Sequence, residues 1–252
     1  MIADELLEDI TRGREGKNQG YSTGLPKLDY LTDGLTKGTY TLLFASSGVG
    51  KSSLALYSYM YIPIMEHLED DKLKIVLFAL EMKKKLIMAK LLSTYIHEQY
   101  GIDLGLKEIL SRKKDYKLSD KNFQIIQECM PWVRKVEKIL HIYDKSLTSD
   151  KMYAILINEL EQEGKFTKED HTGYVYNNPD KLILAVIDHA GLIQATKGRT
   201  KKDEIDLCSK MIVSLRNRTD LSCLWIMQSN RAVASMDRKR QGFNEPIIED
   251  LR

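Results

Sequence analysis

From residue 39 onward, short unbroken apolar runs alternate with longer stretches whose apolar residues recur at helical spacing. Runs at 39–44, 74–80, 139–143, 182–187 and 222–227 predict strands. The stretches at 51–65, 83–99, 120–138, 148–161 and 202–218 predict the helices between them. A strand that is apolar at every position, rather than at every second one, is covered on both faces. Strands alternating with helices therefore predict an α/β fold: a mostly parallel central sheet with helices on both sides. Ahead of this, Ile2, Leu6, Leu7 and Ile10 mark one face of a short amphipathic helix, which breaks at Gly13, Gly16 and Gly20. Residues 1–19 thus read as a helix and flexible tether before a domain spanning 20–252. The apolar face of that helix needs a surface, on this domain or on a neighbouring subunit. Residues 163–180 are polar and carry Gly164, Gly173, Asn177, Asn178 and Pro179, which predicts a surface loop without chemistry of its own.

Composition narrows the setting. The chain has 252 residues, 43% hydrophobic and 29% charged, the ordinary balance of a water-soluble domain with a real core. No stretch approaches the ~20 apolar residues of a membrane span, and the acidic start lacks the layout of a signal peptide. Cys129, Cys208 and Cys223 are odd in number and widely spaced, so no disulfide framework or zinc site is indicated. A cytoplasmic, membrane-free protein is expected. The net charge of +2 does not by itself point to nucleic acid. Only local basic segments could, namely Lys197, Arg199, Lys201 and Lys202, and further on Arg238, Lys239 and Arg240. Such runs are equally the charge of a solvated loop.

One segment carries specific chemistry. Ala45, Ser46, Ser47, Gly48, Val49, Gly50, Lys51, Ser52 and Ser53 follow a predicted strand and open a predicted helix. They match a phosphate-binding loop except that Ala45 replaces its first glycine. Glycines at 48 and 50 let the backbone curl so that successive N–H groups face one anion, and the helix dipole adds to the same point. In that arrangement Lys51 reaches the β- and γ-phosphates of ATP and Ser52 ligates Mg²⁺. Without ligand, Lys51 is expected to face solvent.

Two carboxylates stand where such a site needs them. Asp188 ends the apolar run at 182–187, at the strand end where open α/β sheets bind ligands. It can hold Mg²⁺ there, or serve as a helix cap or turn residue. Glu81 follows the run at 74–80 just before a helix. It can act as general base on the attacking water, or complement the N-terminus of that helix.

The set as a whole resembles the C-terminal motor domain of the DnaB-family replicative helicases, a RecA-like P-loop NTPase fold. The likeness rests on Ser22, Thr23, Gly24, Leu28, Asp29 and residues 31–35, on residues 78–82 around Glu81, and on residues 188–192 headed by Asp188. It continues through Gln228 and Arg231 to Asp250, Leu251 and Arg252, and the motifs stand in the family's order from about Gly20 to the end. The resemblance implies the base role for Glu81, the Mg²⁺ role for Asp188, and a γ-phosphate sensor in Gln228. It also implies a DNA-binding loop running toward Arg252.

An ATP-dependent helicase motor follows from this likeness, translocating on single-stranded DNA as a hexameric ring, with primase or a helicase loader as further partners. A ring would multiply each basic segment around a pore. The resemblance also implies that the family's primase-binding domain is missing and that its last strands and arginine finger lie beyond Arg252. Two other functions fit the same nucleotide site: a RecA- or KaiC-like ATPase of recombination or regulation, and an assembly module that binds nucleotide without unwinding.

Overall fold

A computed structural model describes residues 2–112, 114–167 and 173–229. Its strands are β1 (Tyr40–Ala45), β2 (Leu73–Ala79), β3 (Leu140–Tyr143), β4 (Gly164–Phe166), β5 (Tyr174–Tyr176), β6 (Leu182–Asp188) and β7 (Ser222–Gln228). The helices are α1 (Ile2–Arg14), α2 (Pro26–Thr32), α3 (Lys51–Leu56), α4 (Ile62–Glu66), α5 (Lys84–Tyr100), α6 (Leu106–Ile109), α7 (Asp120–Ile139), α8 (Ser149–Glu163) and α9 (Lys201–Thr219). Five of the strands form one sheet in the order β1-β7-β6-β2-β3, and every pairing in it is parallel.

The apolar runs divide their side chains between two cores, as strand geometry demands. Ile75, Leu77, Leu184, Val186, Leu224 and Ile226 face a core shared with Leu56, Ile64, Leu91, Ile96, Trp132 and Val136. Their neighbours Val76, Phe78, Ile183, Ala185, Ile187 and Trp225 face the other way, onto Met152, Leu156, Leu160, Cys208, Ile212 and Leu215. Helices α3, α4, α5 and α7 thus cover one face and α8 and α9 the other. Each fully buried Val, Leu, Ile, Phe or Met side chain among them contributes about 1.5–3 kcal/mol. No helix among the described residues is long and apolar enough to cross a membrane.

Local chemistry sets the element ends. Ser119 caps α7 by accepting from the Asn122 amide at 3.2 Å, and Thr200 with Asp203 forms a reciprocal capping box on α9. Before the sheet, the Asp29 carboxylate accepts from the Thr23 amide (3.0 Å) and the Ser22 hydroxyl (2.9 Å), pinning α2 to its approach. Gly34, at φ +72°, lies against the isolated bridge between Tyr21 and Leu35. A Cβ there would come within 2.5 Å of the Tyr21 carbonyl oxygen.

Two expectations are corrected. The helix expected over 51–65 is interrupted by a π-helical turn at Tyr57–Tyr61. Pro63 supplies the reason: it has no N–H for an α-type bond, and its ring clashes with the carbonyl four residues earlier. The second concerns residues 163–180, which are not a plain surface loop. Gly164–Phe166 and Tyr174–Tyr176 pair antiparallel. The Tyr174 hydroxyl donates to the Leu160 carbonyl at 2.6 Å and the Tyr176 hydroxyl to the Thr219 carbonyl at 2.5 Å, so aromatic anchors seat the hairpin on α8 and α9.

The helix expected over 2–12 runs to Arg14, where the Arg12 guanidinium meets Asp180 at 3.2 Å. The side chains of Ile2, Leu6, Leu7 and Ile10 stay exposed.

Candidate active site

All five parallel strands end on one rim, where open α/β sheets bind ligands. β1 runs out at Ala45, and the chain turns through Ser46–Gly50 into α3. Gly48 (φ +79°) and Gly50 (φ +97°) hold the left-handed conformation that side chains disfavour, which is what lets this turn curl. β2 delivers Glu81, β6 ends in Asp188 and β7 in Gln228. The Leu80 amide donates to the Asp188 carbonyl at 2.8 Å and ties the ends of β2 and β6 together.

These residues close around a cleft of about 270 Å³ lined by Ser47, Gly48, Gly50, Lys51, Ser52, Ser53, Glu81, Asp188, His189 and Gln228. Residues far apart in sequence thus meet in one polar hollow. Ser46 and Val49 belong to the same turn but do not line the cleft, and the Val49 side chain points to solvent. Glu81 is exposed and precedes the first turn of α5, whose N-cap is Lys83. Asp188 does not cap the short helical turn that follows, since His189 holds that position.

Lys51 departs from expectation. Rather than facing solvent, it folds back, and its Nζ donates to the carbonyls of Ala45 (2.8 Å) and Ser46 (2.7 Å). An ammonium beside two half-buried carbonyls takes their oxygens in place of water. Burial lowers the Lys51 pKa, with the Asp188 and Glu81 carboxylates pulling the other way. For Asp188, burial is the largest influence and raises its pKa. Glu81 adds to the rise, while the Ser52 hydroxyl bonded to the carboxylate, His189 and Lys51 oppose it. A carboxylate held against its ionisation in this way gains from a cation beside it.

His189 is the lining residue that sequence reasoning missed; its position directly after Asp188 was the available signal. Its Nδ1 is buried with no hydrogen-bond partner among the described residues. A Cβ on Gly191 would lie 2.9 Å from that nitrogen, so glycine makes room for the ring.

Beyond β6, Lys197, Arg199, Lys201 and Lys202 are exposed on the segment leading from the same rim into α9, where Arg199 approaches Glu204 at 3.5 Å and Asp150 at 3.7 Å. Arg231, Arg238, Lys239, Arg240 and Arg252 lie outside the described residues. A larger cleft, of about 700 Å³, lies at the opposite end of the strands between the tether and the sheet, lined among others by Arg12, Lys37, Tyr176 and Asp180. It brings together none of the phosphate-loop residues.

Known proteins bear on this geometry directly. Residues 20–252 match the DnaB-like helicase C terminal domain family. The replicative DNA helicase DnaB of Helicobacter pylori strain 26695 is 23% identical over 251 residues, which is 99% of this chain and 44% of the relative. The protein of strain J99 is 23% identical over 248 residues, 98% of this chain and 43% of that one. The chain thus spans less than half the length of these curated relatives.

Among solved structures, an ATPase domain superposes with a TM-score of 0.73 at 18% identity, over 99% of this chain and 77% of that one. A DnaB-like replicative helicase, solved to show its interactions with primase, superposes with a TM-score of 0.64, also at 18% identity, over 100% of this chain and 52% of that one. At that identity the structural likeness speaks for the RecA-like fold. The family match, covering nearly the whole chain, speaks for ancestry: this chain belongs to the DnaB-like helicase C-terminal domain family.

Proposed function

We propose that this chain is an ATP-driven motor domain of a replicative DNA helicase, hydrolysing ATP at the β1–β7–β6–β2 rim and moving on single-stranded DNA. The observation that carries the reading is the convergence of Lys51, Ser52, Glu81, Asp188 and Gln228 on one cleft from four separate segments.

Each group has a part that its position allows. Backbone amides of Ser47–Ser53 and the positive end of α3 hold the phosphates. Lys51, steadied by the Ala45 and Ser46 carbonyls, meets the β- and γ-phosphate oxygens. Glu81, exposed at the mouth of the cleft, accepts the proton of the attacking water, whose oxygen bonds to the γ-phosphorus as ADP leaves. The Gln228 amide can donate to a γ-phosphate oxygen and accept from a neighbour, which suits a residue at the end of β7.

The residues also fit a divalent cation. Ser52 and Asp188 are hard oxygen donors that line the same cleft, and burial disfavours the lone Asp188 charge. Among the described residues no cluster of three or more His, Cys, Asp or Glu is built to hold a metal alone. Mg²⁺ in kinase- and ATPase-type sites takes one or two carboxylates plus the substrate phosphates, which matches this donor set. Bound there, Mg²⁺ would neutralise phosphate charge.

The exposed apolar face of α1 supports docking on a neighbouring subunit and hence a homo-oligomeric ring. In such a ring the exposed cations at 197–202, together with Arg231, Arg238, Lys239, Arg240 and Arg252, supply contacts to a phosphate backbone. Primase or a loader, and a cytoplasmic setting, follow from the same reading. The test is ATP turnover with and without single-stranded DNA, alongside the mass of the oligomer. Stimulation by DNA in an oligomer supports the motor. Binding of ATP with no response to DNA would overturn it in favour of an assembly module.

A further inference from the structure

The chain passes from β2 to α5 through Leu80, Glu81, Met82 and Lys83, and each end of this bridge is pinned to another strand. At its start the Leu80 amide donates to the Asp188 carbonyl of β6 at 2.8 Å. At its end the Lys84 amide, the first of α5, donates to the Asp144 carboxylate at 3.1 Å. Asp144 directly follows β3, whose last pairing with β2 joins Tyr143 to Phe78. Between the pins, Met82 packs against the core that α5 and α7 share. Glu81 itself is exposed, so it is the backbone under it that these contacts fix. Lys83, the N-cap residue, gives no side chain to the first turn of α5. Asp144, half-buried and 60 residues away in sequence, takes that place and leaves Glu81 to line the phosphate cleft.

We propose that Asp144 is a positioning residue for hydrolysis: by holding the first amide of α5, it fixes the bridge that aims Glu81 at the attacking water. The proposal rests on the reading of Glu81 as general base given above. The first amides of a helix have no partner within it, and a carboxylate there makes a charge-assisted bond at the positive end of the helix dipole. A general base works only within hydrogen-bond reach of the proton it takes, and a displacement of about 1 Å can cost ~10²-fold in rate. Without Asp144 the Lys84 amide turns to water, and the bridge keeps only its pin at Leu80 and the packing of Met82. The phosphate loop at 46–53 touches none of these contacts. Asp144 therefore governs the rate of hydrolysis and not the affinity for ATP.

Turnover and ATP affinity of the full chain, measured with single-stranded DNA present, test this. Asp144→Ala should lower kcat roughly ten- to a hundredfold and leave ATP affinity unchanged. Asp144→Asn, which keeps an acceptor oxygen, should recover most of the rate. Lys84→Pro removes the N–H from the other side. Proline suits the first position of a helix, and the extended backbone of Lys83 (φ −71°, ψ 141°) suits the residue before it. That variant should show the same fall in kcat, and it decides the matter if Asp144→Ala does not fold. In a Glu81→Gln background Asp144→Ala should cost nothing further, since no base is left to aim. Parental kcat in Asp144→Ala or Lys84→Pro, or affinity lost in step with kcat, overturns the proposal. So does an Asp144→Ala effect as large in Glu81→Gln as in the parent. If Glu81→Gln is slow while Asp144→Ala matches the parent, the positioning role fails and the base reading stands. If Glu81→Gln turns over like the parent, both fall.

Discussion

Replacing Lys51 with alanine removes an ammonium that lies beside the carbonyls of Ala45 and Ser46 and faces the phosphate cleft. Little apolar packing depends on it, so the fold should survive while tight ATP binding is lost. Calorimetric titration with ATP, checked by thermal unfolding, reads both; parental affinity in the variant would refute the phosphate-loop assignment. Glu81→Gln keeps the shape of the side chain and loses the base. ATP should still bind, and turnover should fall by roughly the 10²–10⁴-fold expected for a lost general base. Unchanged turnover would mean that Glu81 serves only the N-terminus of α5. At this scale the residue types at 51, 52, 81 and 188 were legible before any fold was known, because phosphate and metal chemistry admits few side chains. His189 was not, since a histidine beside an aspartate has many uses and only the cleft shows that it lines one.

Elements in this protein are tied by charge as well as by apolar contact. Lys74 at the start of β2 is 3% exposed and meets Glu159 of α8 at 2.7 Å and Glu163 at 2.9 Å. Glu159 also takes hydrogen bonds from His141 and Tyr143 of β3. Burial opposes ionisation of Glu159, but the bonds from His141, Lys74 and Tyr143 outweigh it and hold the carboxyl at about 2, below its ordinary 4.5. A folded pKa that is depressed stabilises the fold above the unfolded value and loses that stabilisation as pH falls toward the folded one. The melting temperature of the parent should therefore drop more steeply than that of Glu159→Gln as pH falls from about 4.5 to about 2. At neutral pH the variant should be less stable by up to ~3 kcal/mol, the low end for breaking a buried ion pair, because Glu163 still faces Lys74. Equal slopes would show that the network is not what couples α8 to the sheet. Nothing in the strand pattern foretold this lysine's burial, since the run at 74–80 began with it and a charged first residue reads as an exposed end.

For the whole molecule, the decisive question is where nucleic acid would pass. The net charge of +2 gives no general attraction, so in the proposed ring affinity would come from local segments repeated around it. Neutralising Arg238, Lys239 and Arg240 together should weaken binding to all single-stranded sequences about equally, since phosphate contacts read no bases. It should also flatten the salt dependence, by up to ~0.7 for each phosphate that the variant no longer neutralises. Isotherms of the triple variant at two salt concentrations check this; affinity and slope both equal to the parent's would leave the path to Arg252 and the exposed cations at 197–202.

The sequence by itself determined the parallel α/β plan, the place of each sheet strand to within a residue or two, and the order of the chemical motifs. These depend on local periodicity and on residue types that a given chemistry demands. Tertiary structure alone decided which segments meet. It sent alternate residues of each strand to separate cores and paired Gly164–Phe166 with Tyr174–Tyr176, seated by two tyrosine hydroxyls. It also turned Lys51 onto the carbonyls of Ala45 and Ser46, the first of which also accepts from the Ser229 amide just past β7. Those contacts join residues far apart in the chain, and their partners exist only once the sheet has brought the strand ends to a common rim.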